Sequence, residues 1–398
     1  MLNAKKEREL AYVVYIDDLK PIEGRDRVEC AVVGGWNVMV RKGEFQVGDP
    51  AIYFEIDSKT PETKEFEFLA PKKYHIKTQK YGSFYSQGLL MPASDFGWII
   101  EDKAIKDDQG ILHKPGDESA FLTEKLGVTY YDPMDVVRKK SSPKREYNST
   151  FKKIKGYFPF KQMLRTKWGG ALLFAIFGLK KEKREWPWFM PHSDEERIQN
   201  MSWILNNKTP FECTEKVDGC SSGYAVERGR FGKLKYYVCS RNVVLNRSSK
   251  AYYDFNVWFE NYDKYKIEDF LTAFIKETGA DWVYLQGESF GSGIQKRDYS
   301  MKNGGHDFRA FALCTSLRSR YTYSEMKEIL DKYDIPTVPI VDASYTLPDT
   351  VEELLQYAHG ASEIDRLPRE GIVFRSVKDP TISFKAVDNE FLLKYHNG

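Results

Sequence analysis

The chain has 398 residues, 15% of them aromatic, and its 60 lysines and arginines nearly balance 58 aspartates and glutamates. This length predicts two or three domains with ample buried cores. The formal charge of +2 excludes a strongly basic nucleic-acid-binding protein, so any affinity for nucleic acid must come from local basic surfaces.

The cysteines and the apolar runs indicate the compartment. The five cysteines form no C-x-x-C pair and the six histidines no H-E-x-x-H motif, which argues against a zinc site and favours reduced thiols. The charged N-terminal residues lack the apolar core of a signal peptide. The longest apolar run, Gly169 to Leu179, is too short to span a bilayer. We therefore expect a cytoplasmic protein without membrane contacts.

Residues 10–92 consist of short β-rich runs separated by glycine turns such as Gly34-Gly35. Five or so short strands in fewer than about a hundred residues predict a small closed barrel, most often an OB-fold. Such barrels bind single strands on aromatic platforms. Trp36, Tyr53 and Phe54 are therefore either stacking residues or core, and the core is favoured because aromatic side chains mostly fill interiors.

The chain changes character between Arg138 and Trp168, where eleven lysines and arginines accompany a single acid and several aromatic residues. Basic residues interleaved with aromatic rings suit a phosphate backbone and unstacked bases. A solvated linker is the alternative, because charge runs are often only that.

The remainder, residues 186–398, reads as α/β. The segment Ser193 to Asn200 predicts a capped helix start, Asn256 to Thr278 one or two amphipathic helices, and Thr350 to Glu353 a capping box. The strands predicted after residue 230 are Leu234 to Cys239, Trp282 to Glu288, Asp307 to Cys314, Gly371 to Arg375 and Thr381 to Val387. The whole chain is thus predicted as α+β, a barrel followed by an α/β domain with antiparallel sheets.

A lone lysine, Lys216, lies between a β-rich run and a glycine turn in Lys216-Val-Asp-Gly219. A lysine held there can serve as a covalent nucleophile, provided that desolvation or a nearby cation lowers its pKa and frees the amine. On its own this pattern is weak and mostly marks surface turns.

The segments after Lys216 resemble, in order, the motif series of the covalent nucleotidyltransferases, the superfamily of RNA ligases, DNA ligases and mRNA capping enzymes. The matching segments are Lys216-Val-Asp-Gly219, Ser240-Arg241-Asn242, Gln286-Gly-Glu288, Asp307-Phe-Arg-Ala-Phe311, Arg369-Glu-Gly-Ile-Val373 and Ser383-Phe-Lys385. Each is weak alone, but six in the right order over about 170 residues form a strong signal.

The order of the domains narrows the resemblance. DNA ligases and capping enzymes carry an OB domain after the last motif, whereas here thirteen residues follow Lys385. Val47-Gly-Asp49, Tyr53-Phe-Glu-Ile-Asp57 and Ser86 to Pro92 instead resemble the N-terminal OB domain of the fifth RNA-ligase family. The resemblance implies an OB-fold domain over residues 1–135, a basic and aromatic linker over 136–185, and an adenylyltransferase domain over 186–398.

The resemblance also implies the chemistry. Lys216 attacks the α-phosphorus of ATP to give lysyl-AMP, the AMP moves to a 5′-phosphate RNA end, and a 3′-hydroxyl then displaces it. Asp218, Glu288 and Glu370 surround a catalytic Mg²⁺ or Mn²⁺, directly or through its waters, because both ions favour oxygen ligands. Lys385 grips the α-phosphate.

Further residues are implied as contacts to the nucleotide. Arg241 contacts the ribose and the substrate end, and Phe311 is the adenine platform, with Phe308 as the runner-up and the core as the alternative for either ring. Arg197 and Gln199 reach the outer phosphates. Glu215, like Thr214, lies where backbone contacts to adenine fall.

Two positions depart from the family pattern. Ser383 stands where RNA ligases usually have a lysine, so one phosphate contact is either missing or supplied by Arg375 or Lys394. Ser221 stands where one RNA-ligase branch has an asparagine that contacts the substrate.

The implied partner is RNA with 5′-phosphate and 3′-hydroxyl ends, nicked duplexes included, with no obligate protein partner. Two alternatives stay open at this point. One is a GTP-using guanylyltransferase of the capping type, and the other is a non-catalytic RNA-binding protein of the same fold.

Overall fold

The computed structural model describes residues 1–3, 7–100, 105–107, 109–113, 117–131, 185–192, 194–247, 253, 255–301 and 304–396. Met1–Tyr131 and Pro187–Gly398 form one compact unit. The other unit, Asp132–Trp186, lies almost entirely outside the described residues, and the predicted basic segment lies outside them with it. In the described ranges, no helix combines the length and hydrophobicity that a bilayer span requires.

The N-terminal part consists of short antiparallel strands, as predicted. They are β1 (Ala11–Tyr15), β2 (Asp18–Ile22), β3 (Arg25–Val33), β4 (Trp36–Arg41), β5 (Pro50–Phe54), β6 (Ser58–Lys59), β7 (His75–Ile76), β8 (Thr78–Tyr81), β9 (Phe84–Gln87), β10 (Leu89–Pro92) and β11 (Thr129–Tyr130). A short helix, α1 (Gly97–Ile100), follows β10. The strand orders are β1-β5-β10, β2-β3-β4, β11-β6-β7 and β8-β9.

These sheets do not join into a barrel closed by backbone hydrogen bonds within the described residues. Between β4 and β9, a side chain takes the place of a ladder bond: the Met39 N–H donates to Ser86 Oγ at 2.9 Å. The predicted β-strands thus form several small sheets that pack around shared cores.

The aromatic residues of these strands are core. Trp36, Tyr53 and Phe54 are almost completely buried, and the rings of Trp36 and Tyr53 lie 5.4 Å apart. The cluster around Trp36 and Tyr53 also contains Val387 and Leu392 from the end of the chain. The core interpretation is confirmed, and the N-terminal part shares a core with the last strand of the chain.

The C-terminal part contains two further sheets. Its strands are β12 (Glu196–Arg197), β13 (Phe211–Lys216), β14 (Cys220–Arg228), β15 (Leu234–Cys239), β16 (Trp282–Gly291), β17 (His306–Thr315), β18 (Ile340–Tyr345), β19 (Gly371–Ser376) and β20 (Ser383–Val387). The first sheet has the order β12-β20-β19-β13-β18 and the second β15-β14-β16-β17. Neighbours are antiparallel apart from the pair β12–β20, which confirms the predicted α+β class.

Helices cover one face of each sheet. They are α2 (Val257–Lys264), α3 (Ile267–Thr278), α4 (Tyr323–Asp331) and α5 (Val351–Ala358), with a short α6 (Asn389–Phe391) near the end. The segment predicted as one or two helices forms the pair α2 and α3, which Gly279 terminates at φ 70°. The predicted capping box of Thr350 and Glu353 is present, and Thr322 forms another with Glu325.

The helix start predicted from Ser193 to Asn200 is wrong. Glu196–Arg197 is instead β12, which pairs in parallel with β20, and only Ile198–Asn200 forms a 3₁₀ turn. Ile198 is buried in the core beneath the first sheet. Long-range pairing with β20 and burial of Ile198 therefore override the local capping signal.

Candidate active site

Lys216 is the last residue of β13, paired with Gly371 of β19. Side chains alternate along this strand, and Phe211 and Cys213 face the core. The turn after Lys216 is sterically fixed, because a Cβ on Gly219 would lie 2.3 Å from the carbonyl oxygen of Ser289. The predicted strand and glycine turn thus hold this lysine in a defined position.

Lys216 lies among carboxylates. Its Nζ donates to Glu370 Oε2 at 2.6 Å, and its side chain is 24% exposed. Burial is the largest influence on the pKa of Lys216 and lowers it, but the charges of Glu370, Glu288 and Asp218 together outweigh burial and raise the pKa. In the unliganded protein, these carboxylates thus favour the charged form of Lys216.

The pKa of Glu288 is dominated by burial. It lies on β16 opposite Ser221 of β14. Burial, with smaller contributions from Glu370 and Asp218, raises the pKa of Glu288 to about 8, although Lys216 acts in the other direction. A cation bound nearby would favour the charged form of Glu288.

The grouping of Asp218, Glu288 and Glu370 around Lys216 fits a divalent cation. Carboxylate oxygens are the ligands that Mg²⁺ and Mn²⁺ prefer. Over the part of the chain that the structure describes, no three carboxylate, histidine or cysteine side chains converge closely enough to hold an ion directly. Asp218, Glu288 and Glu370 stay the predicted ligands, either directly or through the water molecules of the ion.

Lys385 and Arg241 meet at a carboxylate that was not predicted from the sequence. Lys385 Nζ donates to Asp194 Oδ1 at 2.7 Å, and Arg241 Nη2 donates to Asp194 Oδ2 at 2.6 Å. Burial raises the pKa of Asp194, but Lys385 and Arg241 outweigh it and hold that pKa well below its usual range. For Lys385, burial lowers the pKa more than Asp194 raises it.

The neighbouring acid, Glu195, accepts hydrogen bonds from two residues, one of which is Ser383, the position that departs from the family pattern. Ser383 donates from its hydroxyl to Glu195, and Arg375 Nη2 donates to Glu195 Oε1 at 3.2 Å. Arg375 is buried, and burial, followed by the charge of Arg320, lowers its pKa to about 10. Lys394, the other proposed substitute, is exposed and lies over the ring of Tyr395. The structure thus brings Arg375, and not Lys394, to Ser383.

Arg197 and Gln199 are both buried. Arg197 lies on β12 opposite Lys385, and its Nη2 donates to Asp57 Oδ2 at 3.3 Å. Its Nε and Nη1, and both amide atoms of Gln199, have no hydrogen-bond partner among the described residues. Because unpaired buried donors are costly, the Arg197 guanidinium fits an anion supplied by a ligand.

The two candidate platforms differ in burial. Phe308 is fully buried, and its ring packs edge-on against Tyr224 with 5.4 Å between centroids. Phe311 is partly exposed at the margin of the same core. The geometry therefore leaves Phe311 as the candidate platform and assigns Phe308 to the core.

Glu215 is engaged with the loop that leads to Glu370. Its carboxylate accepts hydrogen bonds from Ser362 Oγ at 2.5 Å and from the Glu363 N–H at 2.8 Å. Burial raises its pKa. In the unliganded protein, the Glu215 side chain thus positions a loop, while its N–H donates to the carbonyl of Pro339 at 2.8 Å.

Two protein-family models match parts of this chain. An OB-fold domain model matches residues 10–93, which confirms the predicted OB-fold, and an RNA ligase model matches residues 209–396. No curated protein sequence matches the chain.

Three solved structures of Naegleria gruberi RNA ligase are similar over 98% of this chain. A variant with ATP and Mn has 26% identity, a TM-score of 0.70 and 99% of its own chain covered. A variant with AMP and Mn has 25% identity, a TM-score of 0.70 and 100% of its chain covered. The ligase with PPi has 25% identity, a TM-score of 0.71 and 100% of its chain covered.

Proposed function

This chain is an ATP-dependent RNA ligase of the fifth RNA-ligase family, with an OB-fold domain in front of its nucleotidyltransferase domain, and we propose that it joins 5′-phosphate and 3′-hydroxyl RNA ends through lysyl-AMP. The observation that carries the proposal is the position of Lys216, whose amine is partly exposed and 2.6 Å from Glu370. Neither the guanylyltransferase nor the non-catalytic alternative is favoured.

The first step takes place at Lys216. The neutral amine attacks the α-phosphorus of ATP, so that a nitrogen–phosphorus bond forms and the bond to pyrophosphate breaks. Asp218, Glu288 and Glu370 would hold a Mg²⁺ or Mn²⁺ ion, whose positive charge would favour the neutral amine. Lys385 stabilises the charge that develops on the α-phosphate oxygens.

The remaining contacts orient the nucleotide. Phe311 stacks on the adenine, and stacking of this kind is worth about 1–3 kcal/mol. Arg241 contacts the ribose and then the RNA end, while Arg197 and Gln199 bind the outer phosphates. Glu215 contributes through its backbone, and its side chain holds the loop that carries Glu370.

The later steps use the same pocket. The AMP moves from Lys216 to the 5′-phosphate of one RNA strand, and the 3′-hydroxyl of the other strand then displaces AMP to form the phosphodiester bond. We propose single RNA strands and nicked duplexes as substrates, without an obligate protein partner. The five free thiols suit a reducing, cytoplasmic location.

Covalent labelling tests the first step. Incubation with α-labelled ATP and Mg²⁺ or Mn²⁺ should label the protein, and the Lys216→Ala variant should carry no label. Lys208→Ala is the control, because Lys208 forms an exposed ion pair with Asp349, and it should be labelled normally. An unlabelled wild type with either metal, a persistent label in Lys216→Ala, or preferential labelling by GTP would contradict the proposal.

Sealing assays test the substrate separately. Nicked duplexes with RNA or DNA on either side of the break, and single RNA strands, should be compared using enzyme that is already adenylylated. We expect sealing when the 3′-hydroxyl strand is RNA. Adenylylated enzyme that seals only DNA would overturn the substrate assignment while leaving the assignment of Lys216 intact.

A further inference from the structure

The carboxylate of Asp194 bridges two cations that come from different sheets. Lys385 lies on β20 of the first sheet, and Arg241 follows β15 in the second. The two oxygens of Asp194 accept one hydrogen bond from each, at 2.7 Å and 2.6 Å. A carboxylate placed in this way makes the charge-assisted bonds that a phosphate group would make.

The surroundings of Asp194 are rich in positive charge. Arg8 acts on the carboxylate of Asp194 electrostatically, and Arg197, Lys216 and Arg8 act on the buried ammonium of Lys385. Without an anion nearby, burial and mutual repulsion would disfavour the charged form of Lys385. Asp194 therefore supplies the negative charge that this group of cations needs while no nucleotide is bound.

We infer, on the basis of the proposed function, that Asp194 is a positioning residue that holds Lys385 and Arg241 in place of the nucleotide phosphate and gives up these bonds when nucleotide binds. Two negative groups cannot share the same cations at hydrogen-bond distance without strong repulsion in a buried site. Nucleotide binding at Lys385 thus exchanges one anion for another.

The contacts on both sides of Asp194 show which part must move. Upstream, Gln286 Nε2 donates to the carbonyl of Pro191 at 2.8 Å. Downstream, Glu195 bonds Arg375 and Glu196 begins β12. Since Pro191 and Glu195 have anchors of their own, we assign the exchange to the side chain of Asp194.

Removing the charge of Asp194 should strengthen the binding of nucleotide. Asp194→Asn keeps the shape of the side chain but removes the competing charge, so AMP should bind more tightly. Because charge-assisted hydrogen bonds are stronger than neutral ones, the removal of one competing carboxylate should tighten AMP binding by about tenfold. Adenosine carries no phosphate and need not displace Asp194, so its affinity should stay unchanged.

The test is calorimetric titration of the full chain, first treated with pyrophosphate to remove bound AMP, with AMP and with adenosine. Asp349→Asn is the control, because it makes the same change in an exposed ion pair with Lys208. Thermal unfolding verifies that Asp194→Asn is folded.

Weaker AMP binding in Asp194→Asn would show that Asp194 contacts the nucleotide, and an equal change for AMP and adenosine would show a general structural role. Unchanged AMP affinity would also overturn the inference. Failure of the proposed function is distinguishable from all of these outcomes, because it would appear as absence of covalent labelling in the wild-type protein.

Discussion

Arg375 of β19 lies directly opposite Ser383 of β20 in the antiparallel register, and both residues donate hydrogen bonds to Glu195. Ser383 occupies the position where RNA ligases usually carry a lysine. The positive charge that this lysine would supply on β20 is thus present on the adjacent strand as the guanidinium of Arg375, at the same level of the sheet. A charge lost at one position of a sheet can be supplied by its cross-strand neighbour, because paired side chains point to the same face.

This register predicts that Arg375 compensates for Ser383. Arg375→Ala should slow lysine adenylylation by about tenfold to a hundredfold, since it removes a positive charge from the phosphate end of the pocket. Adding Ser383→Lys to Arg375→Ala should restore part of the rate. Single-turnover labelling with α-labelled ATP measures both variants, and a double variant no faster than Arg375→Ala would contradict the idea.

The ion pair between Lys216 and Glu370 leads to a second prediction. Glu370→Gln keeps the size of the side chain but removes the carboxylate that bonds the Lys216 amine at 2.6 Å. We expect labelling of Lys216 to slow by about a hundredfold or more, because positioning and charge at the reacting group are both lost. Glu363→Gln, an exposed carboxylate of the same loop, is the control. Equal labelling of the two variants would show that Glu370 is dispensable.

The site residues that were predicted lie in local sequence motifs, whereas the one that was missed depends on contacts far along the chain. Lys216, Glu288, Glu370 and Lys385 belong to local motifs whose order could be recognised along the chain. Asp194 could not be recognised, because its neighbours resemble a helix cap. Its role depends on the pairing of β12 with β20, almost two hundred residues away.

Long-range strand pairing also explains which features of the fold could not be predicted from the sequence. Capping residues and periodicity predicted most of the helices, and short β-rich runs between turns predicted the strands. The order of the strands in the sheets was not predictable, because it depends on long-range contacts such as the one between Met39 and Ser86. The carboxylates that raise the pKa of Lys216 could be located only in part from the sequence, since Glu288 and Glu370 come from distant segments and only Asp218 is its neighbour along the chain.

The glycine turn after Lys216 should tolerate no side chain. A Cβ on Gly219 would lie 2.3 Å from the Ser289 carbonyl oxygen and 3.0 Å from Glu288, so β16 would have to shift away from the turn. Gly219→Ala should therefore lower the free energy of unfolding by about 1–3 kcal/mol and reduce labelling. Gly97→Ala is the control, because Gly97 has helical dihedral angles and open space around it. Urea unfolding measures both, and equal stabilities would refute the steric argument.

A buried ion pair holds the loop that carries Glu370. Arg297 Nη2 donates to Asp365 Oδ1 at 2.5 Å and Nη1 to the carbonyl of Pro368 at 2.6 Å, with the charged side chains only 1% exposed. Asp365→Ala leaves the guanidinium buried without its counter-charge and should cost about 3–5 kcal/mol of stability. The exposed pair of Glu363 and Arg366 is the control, and Glu363→Ala should cost at most about 1 kcal/mol. Similar losses in the two variants would contradict the difference in burial.

His75 should make stability depend on pH. Its ring is buried and stacks on Tyr131 with 3.5 Å between centroids, and its Nε2 has no partner among the described residues. Burial, with a smaller contribution from Lys77, lowers the pKa of His75 from 6.5 to about 4. The unfolded chain therefore takes up a proton at a higher pH than the folded protein does. The stability that the protein gains from keeping His75 neutral is fully present above pH 6.5 and is lost as the pH falls towards 4.

The expected loss is about 2–3 kcal/mol of unfolding free energy between pH 6.5 and pH 4. The carboxylates of the protein also titrate in this range, so the measurement is the difference between the wild type and His75→Phe. That variant keeps an aromatic ring against Tyr131 but cannot be protonated. Urea unfolding at both pH values should show a smaller acid destabilisation in His75→Phe, and parallel curves for the two proteins would mean that His75 does not titrate in this way.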